Sequence, residues 1–485
     1  MSAVLAIDAG TTGVTALVVD REANVVARGY REFAQHFPEP GWVEHDPEDI
    51  WHAVLAACRA ALAESPLAPV AVGVTDQRET AVLWDRETLK APRTAIVWQD
   101  RRTTAICDRL RPHEDRVREL TGLRLDPYFT GTKLTWLAEN DLAAWAGVTR
   151  GHTAIGTVDS YVLARLTAGA VHATEPSNAS RTLLYDLTTG AWSPELCDLL
   201  GVPLDALPEI RPSSGELGRT DPAAFLGLDL PVTGIAGDQQ AALFGQACFE
   251  PGESKCTYGT GSFVLVNTGS TPVRSQAGLL TTVAWDLGEG LVYALEGAVF
   301  VTGAAVQWLR DGLGVIATAA ESEALARSVP DTGDVYFVPA LTGLGAPEWD
   351  PAARGAIVGI TRGTTAAHLA RATLEAIAFQ VRDVVDTLET PLTELSADGG
   401  ASANSLLMQL QADQLGVPVR RPKVLETTAL GAAFLAGLGA GVWESTDELR
   451  DTWRLDERYH PTEGARDDGR HARWRAAVER SRGWA

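Results

Sequence analysis

Two glycine- and threonine-rich segments of the chain have the composition of phosphate-binding turns. The first, Asp8–Gly13, separates two apolar runs near the amino terminus, and the second, Tyr258–Ser262, precedes the apolar run 263–266. Each pattern predicts a tight turn in a β-hairpin, where backbone N–H groups and hydroxyls can surround a phosphate. Because the turns lie about half a chain apart, they predict two related domains that hold one nucleotide, and phosphoryl transfer as the reaction.

The first turn also offers a metal ligand. Asp8 ends an apolar strand, and its carboxylate can hold Mg²⁺ directly or through water. Gly10, Thr11 and Thr12 follow it and can donate hydrogen bonds to a phosphate. The alternative is an ordinary hairpin turn built from its preferred residues. The second turn favours the phosphate-binding interpretation.

Asp238 is the candidate general base. It follows Gly234–Gly237 at a predicted strand-to-helix junction, so its carboxylate is expected at the mouth of a cleft. Transfer of a phosphoryl group to an alcohol needs a group that accepts the hydroxyl proton. The alternative role is that of a helix N-cap, for which aspartate is a favoured residue, and both roles could coexist.

Three further features are ambiguous when each is considered alone. Arg78 and Glu79 could bind vicinal hydroxyls, the first donating and the second accepting, or could form a solvated turn. Trp98 and Tyr128 could line a ligand or belong to the core. The small residues of 399–404 could let a base or ribose approach the backbone, or could simply start a helix. The chain has neither a Walker A motif nor a strand-linked GxGxxG.

Composition excludes several classes of partner. The formal net charge of -22 disfavours binding to nucleic acid and to anionic membranes.

Five cysteines without a CxxC pattern, and an amino terminus without a basic region, favour reduced thiols in the cytoplasm. Histidine spacing does not indicate zinc. The most apolar run, 292–309, is broken by Glu296 and Gln307, so we expect no membrane insertion.

Apolar periodicity predicts an α/β protein with three parts. Short strands open the chain, and Asp46 and Pro47 begin an amphipathic helix that runs to about residue 62. Strands alternate with helices again after residue 231, whereas 110–231 is expected to be irregular. We predict an N-terminal domain over 1–250, a C-terminal domain over 251–445, and a charged tail with a short helix over 446–485.

Several segments together resemble the FGGY carbohydrate kinases, over nearly the whole chain to about Trp443. The resemblance rests on the two turns, on the junction at 234–246, and on five shorter segments: 41–47, 77–80, 95–99, 126–129 and 343–350. Several of these are more typical of the members that phosphorylate glycerol than of those that act on sugars.

The resemblance implies two actin-like, ribonuclease H-like domains around a central cleft, with ATP and Mg²⁺ and with glycerol as the acceptor. It implies that Asp238 is the base in the formation of sn-glycerol 3-phosphate, and that Asp8 and Asp238 lie near the metal. It also implies a homodimer or homotetramer. The implied glycerol site consists of Arg78, Glu79, Trp98, Tyr128, Asp238, Gln239 and Phe263. The implied nucleotide site consists of Thr11, Thr12, Gly13, Gly259, Thr260, Gly303, Gln307, Gly400 and Asn404.

The chain departs from the family pattern after the first two threonines. Many glycerol-phosphorylating members have two serines and an arginine where this chain has Gly13, Val14 and Thr15. Losing the arginine removes a charge-assisted contact to phosphate, which predicts weaker ATP binding or a supporting cation from elsewhere. Two other functions stay open: a family kinase for another polyol or ketose, and a non-catalytic actin-like ATP-binding sensor or scaffold.

Overall fold

The computed structural model describes residues 2–484 and shows an α/β protein with two sheet-centred lobes. The strands are β1 (Ala3–Ala9), β2 (Gly13–Asp20), β3 (Val25–Glu32), β4 (Glu44–His45), β5 (Pro69–Asp76), β6 (Val82–Asp85), β7 (Ala95–Ile96), β8 (Thr153–Gly156), β9 (Ala173–Thr174), β10 (Tyr185–Asp186), β11 (Ala191–Trp192), β12 (Glu209–Ile210), β13 (Ser214–Arg219), β14 (Pro231–Gly237), β15 (Ser254–Tyr258), β16 (Ser262–Gly269), β17 (Leu280–Asp286), β18 (Leu291–Val299), β19 (Tyr336–Val338), β20 (Ala356–Val358), β21 (Leu395–Asp398), β22 (Val419–Pro422) and β23 (Leu455–Tyr459).

The helices flank these sheets. They are α1 (Pro47–Glu64), α2 (Thr104–Leu110), α3 (Glu114–Thr121), α4 (Thr130–Asn140), α5 (Leu142–Thr149), α6 (Val158–Leu166), α7 (Pro176–Ala179), α8 (Pro194–Leu200), α9 (Asp238–Gly245), α10 (Gly303–Asp311), α11 (Glu321–Arg327), α12 (Ala366–Val385), α13 (Ser405–Leu415), α14 (Thr427–Gly439), α15 (Thr446–Thr452) and α16 (Asp468–Ser481). Short 3₁₀ helices occupy Arg111–His113, Leu204–Ala206 and Gly400–Ala403.

The two large sheets repeat one arrangement. The first has the order β13-β14-β5-β1-β2-β3 and the second β17-β18-β16-β15-β21-β22-β23. In each, the first hairpin strand pairs antiparallel with its successor and parallel with a strand that arrives by a crossover: β1 with β2 and β5, and β15 with β16 and β21. The duplicated sheets are the arrangement expected from the two turns, which both lie at equivalent hairpins.

Helices α9 and α14 pack against each other and connect the two lobes. Helix α9 follows the last parallel strand of the first sheet, whereas α14 belongs to the second half of the chain but packs on the first sheet. Glycines allow this approach: a Cβ at Gly431 would overlap the carbonyl oxygen of Ala241, and one at Gly73 would overlap that of Ala432. Because backbones touch directly at these crossings, α9 and α14 form a continuous connection between the lobes behind the cleft.

The residues after 445 also carry ordered elements. Strand β23 pairs antiparallel with β22 at the edge of the second sheet. Helix α16 buries Trp474, whose indole stacks on Phe379 and donates a 2.6 Å hydrogen bond to Asp383. This segment therefore packs on the second lobe.

The long central segment differs from the sequence-based expectation. Residues 110–231 were expected to be irregular, but they contain helices α3 to α8 and a buried apolar cluster around Leu134 and Leu183. These helices are short, and their stability comes from packing against one another, which periodicity over a few residues does not reveal. In contrast, α1 begins as predicted, because the Asp46 carboxylate accepts a 2.9 Å hydrogen bond from the N–H of Glu48.

Two further properties concern membrane-spanning helices and the cysteine thiols. In the described part of the chain, residues 2–484, every helix falls short of the length and apolarity needed to cross a membrane. All five cysteines are buried free thiols.

Candidate active site

The first turn is a hairpin loop whose shape is set by side chains from neighbouring strands. Ala9 pairs with Val14 across the β1–β2 hairpin, as predicted. The Gln77 amide donates to the carbonyl of Gly10 at 3.0 Å, and the Trp98 indole donates to the hydroxyl of Thr11 at 2.9 Å. Gly10 and Thr11 are thereby held by residues that follow β5 and β7.

Two carboxylates lie at the floor of the cleft beside this turn. Asp8 ends β1, and Asp238 begins α9 at the end of β14. Burial, and secondly the negative charge of Asp238, raise the pKa of Asp8 from 3.8 to about 7. A bound cation would relieve both effects, since it favours the ionised forms. The pair therefore fits a divalent cation held partly by a phosphate.

Asp238 is the first residue of α9 rather than its N-cap. Gly237 holds the N-cap position, and the Asp238 carboxylate accepts a 2.7 Å hydrogen bond from the N–H of Gln239. A second partner is Arg78, whose Nε lies 3.1 Å from Asp238 Oδ1. The side chain stays 28% exposed, so it remains open to the cleft while its position is fixed.

A buried cluster of four charged residues lies behind Asp238. Arg78 and Arg181 both bind Glu296, at 2.5 Å and 2.8 Å, and Arg181 also binds Glu79 at 2.6 Å. Burial opposes ionisation of Glu296, but the guanidinium groups of Arg181 and Arg78 lower its pKa below the usual range. Glu296 lies on β18 of the second lobe, so the cluster joins the lobes and fixes the two residues next to the base.

Glu79 has a backbone conformation that few non-glycine residues adopt. Its φ angle is +60°, and its carbonyl accepts a 3.1 Å hydrogen bond from the hydroxyl of Thr130. Such conformations cost free energy and persist where surrounding contacts enforce them. Burial raises the pKa of Glu79, while Arg78 and Arg181 oppose that rise. The strained turn presents the Arg78 and Glu79 side chains side by side.

Three aromatic rings form one wall of the cleft next to this polar group. The Trp98 ring centroid lies 5.6 Å from Tyr128 and 6.5 Å from Phe263, with edge-to-face geometry. Phe263 comes from β16 of the second lobe, so the wall is assembled from both lobes. The Tyr128 hydroxyl also accepts from Arg78 at 3.3 Å. A narrow slot lined by apolar rings and by hydroxyl-binding groups suits a small polyol.

Gln239 lies at the lobe junction rather than free in the slot. Its side-chain oxygen accepts a 2.5 Å hydrogen bond from Lys255 on β15, and Lys255 also donates to Thr257 at 2.8 Å. Burial lowers the pKa of Lys255. This leaves the Gln239 amide N–H₂ as the group that can meet a ligand.

A cavity of about 550 Å³ lies in the second lobe. It is bounded by the β15–β16 turn, by the start of α10, and by the segment before α13. The N–H of Gly303 donates to the carbonyl of Gly259 at 3.0 Å, and a Cβ at Gly303 would lie 2.6 Å from that oxygen. All six second-lobe residues expected at the nucleotide line this one cavity: Gly259, Thr260, Gly303, Gln307, Gly400 and Asn404. Thr11, Thr12 and Gly13 belong instead to the first lobe.

The sequence did not single out four residues of this constellation as functional. Arg181, Gln240, Lys255 and Glu296 all contact residues of the slot. Glu296 carried a signal, because a carboxylate in the middle of an apolar strand requires a buried partner. Arg181 carried none, since its partners lie 102 and 115 residues away along the chain.

Comparison with known families agrees with this geometry. Residues 3–245 match the N-terminal domain of the FGGY family of carbohydrate kinases, and residues 254–440 match its C-terminal domain. The chain belongs to the FGGY family of carbohydrate kinases. The family resemblance and the two-domain actin-like fold expected from the sequence are thereby confirmed.

Relatives of this kinase cover its whole length. A glycerol kinase of Trichlorobacter lovleyi is 55% identical, with 100% of each chain covered, and one of Myxococcus xanthus is 54% identical, with 99% of each covered. A crystal structure of Plasmodium falciparum glycerol kinase with ADP has a TM-score of 0.89 and 34% identity, covering 99% of this chain and 98% of that one.

Proposed function

We propose that this kinase transfers the terminal phosphoryl group of ATP to glycerol and forms sn-glycerol 3-phosphate. The observation that carries the proposal is the slot itself: Arg78 lies between Glu79 and Asp238, and its guanidinium lies over the ring of Phe263, which packs against Trp98. The full-length glycerol kinases that are more than half identical support the same acceptor. A three-carbon triol has little apolar surface, so a tight slot discriminates against longer polyols.

Each slot residue is assigned its own contact to the acceptor. We infer that Arg78 donates to glycerol hydroxyls and that Glu79 and the Gln239 amide complete the polar contacts. Trp98, Tyr128 and Phe263 pack on the carbon chain. Asp238 then accepts the proton of the reacting hydroxyl, while Arg78 and the start of α9 keep its carboxylate in place.

The phosphates are assigned to the two turns. The β1–β2 turn, with Thr11, Thr12 and Gly13, would contact the transferring phosphate, because it adjoins the carboxylates of Asp8 and Asp238. Gly259 and Thr260 of the β15–β16 turn would hold the rest of the phosphate chain. The other four cavity residues would then hold the nucleoside: Gly303, Gln307, Gly400 and Asn404. Closure of the lobes excludes water, which is a competing acceptor.

A magnesium ion fits beside Asp8. Within residues 2–484 no group of three or more histidine, cysteine or acidic side chains is arranged to hold a metal. Mg²⁺ bound through one or two carboxylates and substrate phosphates needs no such cage. Asp8 and Asp238 would hold the ion, which when bound neutralises charge on the phosphate oxygens.

The organisation of the protein follows from the family. We assign residues 1–250 to the N-terminal domain, 251–445 to the C-terminal domain and 446–485 to a terminal segment. A homodimer or homotetramer in the cytoplasm is proposed from the family resemblance, and light scattering after size-exclusion chromatography tests the assembly.

Product analysis tests the function. The protein is incubated with ATP, Mg²⁺ and glycerol, and the phosphorus NMR spectrum is recorded, with Asp238→Asn as the matched control. The proposal requires one glycerol phosphomonoester, formed in step with ADP, that a stereospecific sn-glycerol-3-phosphate dehydrogenase then oxidises. Binding of ATP without turnover of any polyol would overturn it and favour a scaffold.

A further inference from the structure

An exposed tyrosine lies beside the first turn, outside the residues assigned above. Tyr30 is 44% exposed and belongs to β3, the edge strand of the first sheet. It pairs with Thr15 on β2, and Thr15 pairs with Asp8 on β1. Since directly paired residues point to the same face of a sheet, Asp8, Thr15 and Tyr30 form a row on the cleft face. Tyr30 therefore extends the floor that begins at Asp8.

The hydroxyl of Tyr30 lies against the turn itself. A Cβ placed on Gly13 would lie 2.9 Å from the Tyr30 hydroxyl oxygen and 3.0 Å from a carbon of its ring. The absence of a side chain at position 13 is what gives the ring this place. A phenol hydroxyl in that position can donate one hydrogen bond into the space above the turn.

Arg28 fixes the ring from the other side. Its guanidinium lies 5.6 Å from the centroid of the Tyr30 ring, which is a cation–π distance. Arg28 also pairs at 3.3 Å with Glu426, which stands immediately before α14. Glu426 belongs to the second half of the chain, so Tyr30 and Arg28 are tied to the segment that connects the lobes.

The β1–β2 turn contains no cationic donor for a phosphate. The residues 10–16 include no lysine, arginine or histidine. The nearby side chains of Asp8 and Asp238 are acidic, and the terminal phosphate is negatively charged. Any neutral or cationic donor at this edge would strengthen phosphate binding, since hydrogen bonds to charged acceptors are the stronger ones.

We propose that Tyr30 is a nucleotide-binding residue whose hydroxyl donates to the terminal phosphate of ATP above Gly13, and that Arg28 positions its ring. This rests on the proposed function, which places a nucleoside triphosphate between the two turns. The nucleoside cavity lies in the second lobe, whereas Tyr30 adjoins the β1–β2 turn, which the proposed function assigns to the transferring phosphate. Tyr30 therefore acts on the transferring phosphate and makes no contact with the phosphates of ADP.

Nucleotide binding measured by calorimetry tests this assignment. Wild type and Tyr30→Phe are titrated with a non-hydrolysable ATP analogue and with ADP, each with Mg²⁺. Loss of one hydrogen bond to a charged acceptor predicts about 10- to 150-fold weaker binding of the ATP analogue, with ADP binding unchanged. Arg28→Gln is expected to weaken the analogue in the same selective way. Arg31→Gln is the control, because Arg31 is an exposed residue of the same strand that points to the opposite face.

Unchanged binding of both nucleotides by Tyr30→Phe would overturn the proposal, and so would an equal loss for both, which indicates a structural role. These results are distinct from a failure of the proposed function, which appears as missing glycerol turnover in wild type.

Discussion

Replacing Glu296 by glutamine tests the buried cluster behind the acceptor slot. Glu296 is fully buried on β18 and receives hydrogen bonds from Arg78 at 2.5 and 3.3 Å and from Arg181 at 2.8 Å. The amide keeps the shape but removes the negative charge. Glu79 and the partly exposed Asp238 are then the carboxylates that remain in contact with the two buried guanidinium groups.

The expected cost is large on this geometry. Breaking a buried ion pair by removing one partner costs about 3–5 kcal/mol, because the remaining charge is left uncompensated. We expect the free energy of unfolding of Glu296→Gln to fall by about that amount. Because Arg78 loses the contact that orients it, the KM for glycerol should rise by at least about tenfold, equivalent to ~1.4 kcal/mol, while the KM for ATP changes little.

Urea unfolding and initial-rate kinetics measure these two effects. The matched control is Glu289→Gln, on the exposed loop between β17 and β18, which should behave like wild type. The reasoning is refuted if Glu296→Gln unfolds within about 1 kcal/mol of wild type and keeps its glycerol KM, since that loss is below the buried-pair range.

Three further predictions concern the base, the metal ligand and the slot. Asp238→Asn should lower kcat by about 10²- to 10⁴-fold while glycerol binding, measured by calorimetry, is retained; near-normal turnover would contradict the base assignment. Asp8→Asn should raise the free energy of unfolding near neutral pH. Burial raises the pKa of Asp8 to about 7 in the folded chain, so between about pH 4 and pH 7 the carboxyl ionises in the unfolded chain before it does so in the folded chain. The wild-type free energy of unfolding therefore falls over that range by up to ~4 kcal/mol. Urea unfolding of both proteins at pH 4 and pH 8 checks this, and an equal difference at both pH values would contradict it. Trp98→Ala should widen the slot and raise the kcat/KM for erythritol relative to glycerol; a ratio unchanged from wild type would show that the ring does not limit substrate size.

Local chemistry made part of the site predictable from the sequence. The Gly-Thr turns, and the strand-to-helix junction that carries Asp238, are set by residues adjacent along the chain. The position of each depends on local backbone conformation, which glycine and threonine constrain strongly. Their placement at equivalent hairpins of two sheets followed from the repeat itself.

Long-range pairing was not predictable. Arg78 and Glu296 are separated by 218 residues, and only the folded chain shows that one neutralises the other. Likewise, Thr427–Gly439 is an apolar helix by any local criterion, yet its glycines fit it to the opposite lobe. The short helices of the central segment were missed because tertiary packing, rather than local periodicity, stabilises them.

The substrate preference of the wild-type enzyme tests the central claim most directly. ADP release is measured with ATP and Mg²⁺ over a concentration series of glycerol, erythritol, xylulose, ribulose, gluconate and dihydroxyacetone. The slot built from Arg78, Glu79 and Trp98 predicts the highest kcat/KM for glycerol, by at least about 100-fold over xylulose and gluconate, whose extra carbons and polar groups have no place in it. A kcat/KM for a ketose or for gluconate that equals or exceeds that for glycerol would contradict the account of the slot.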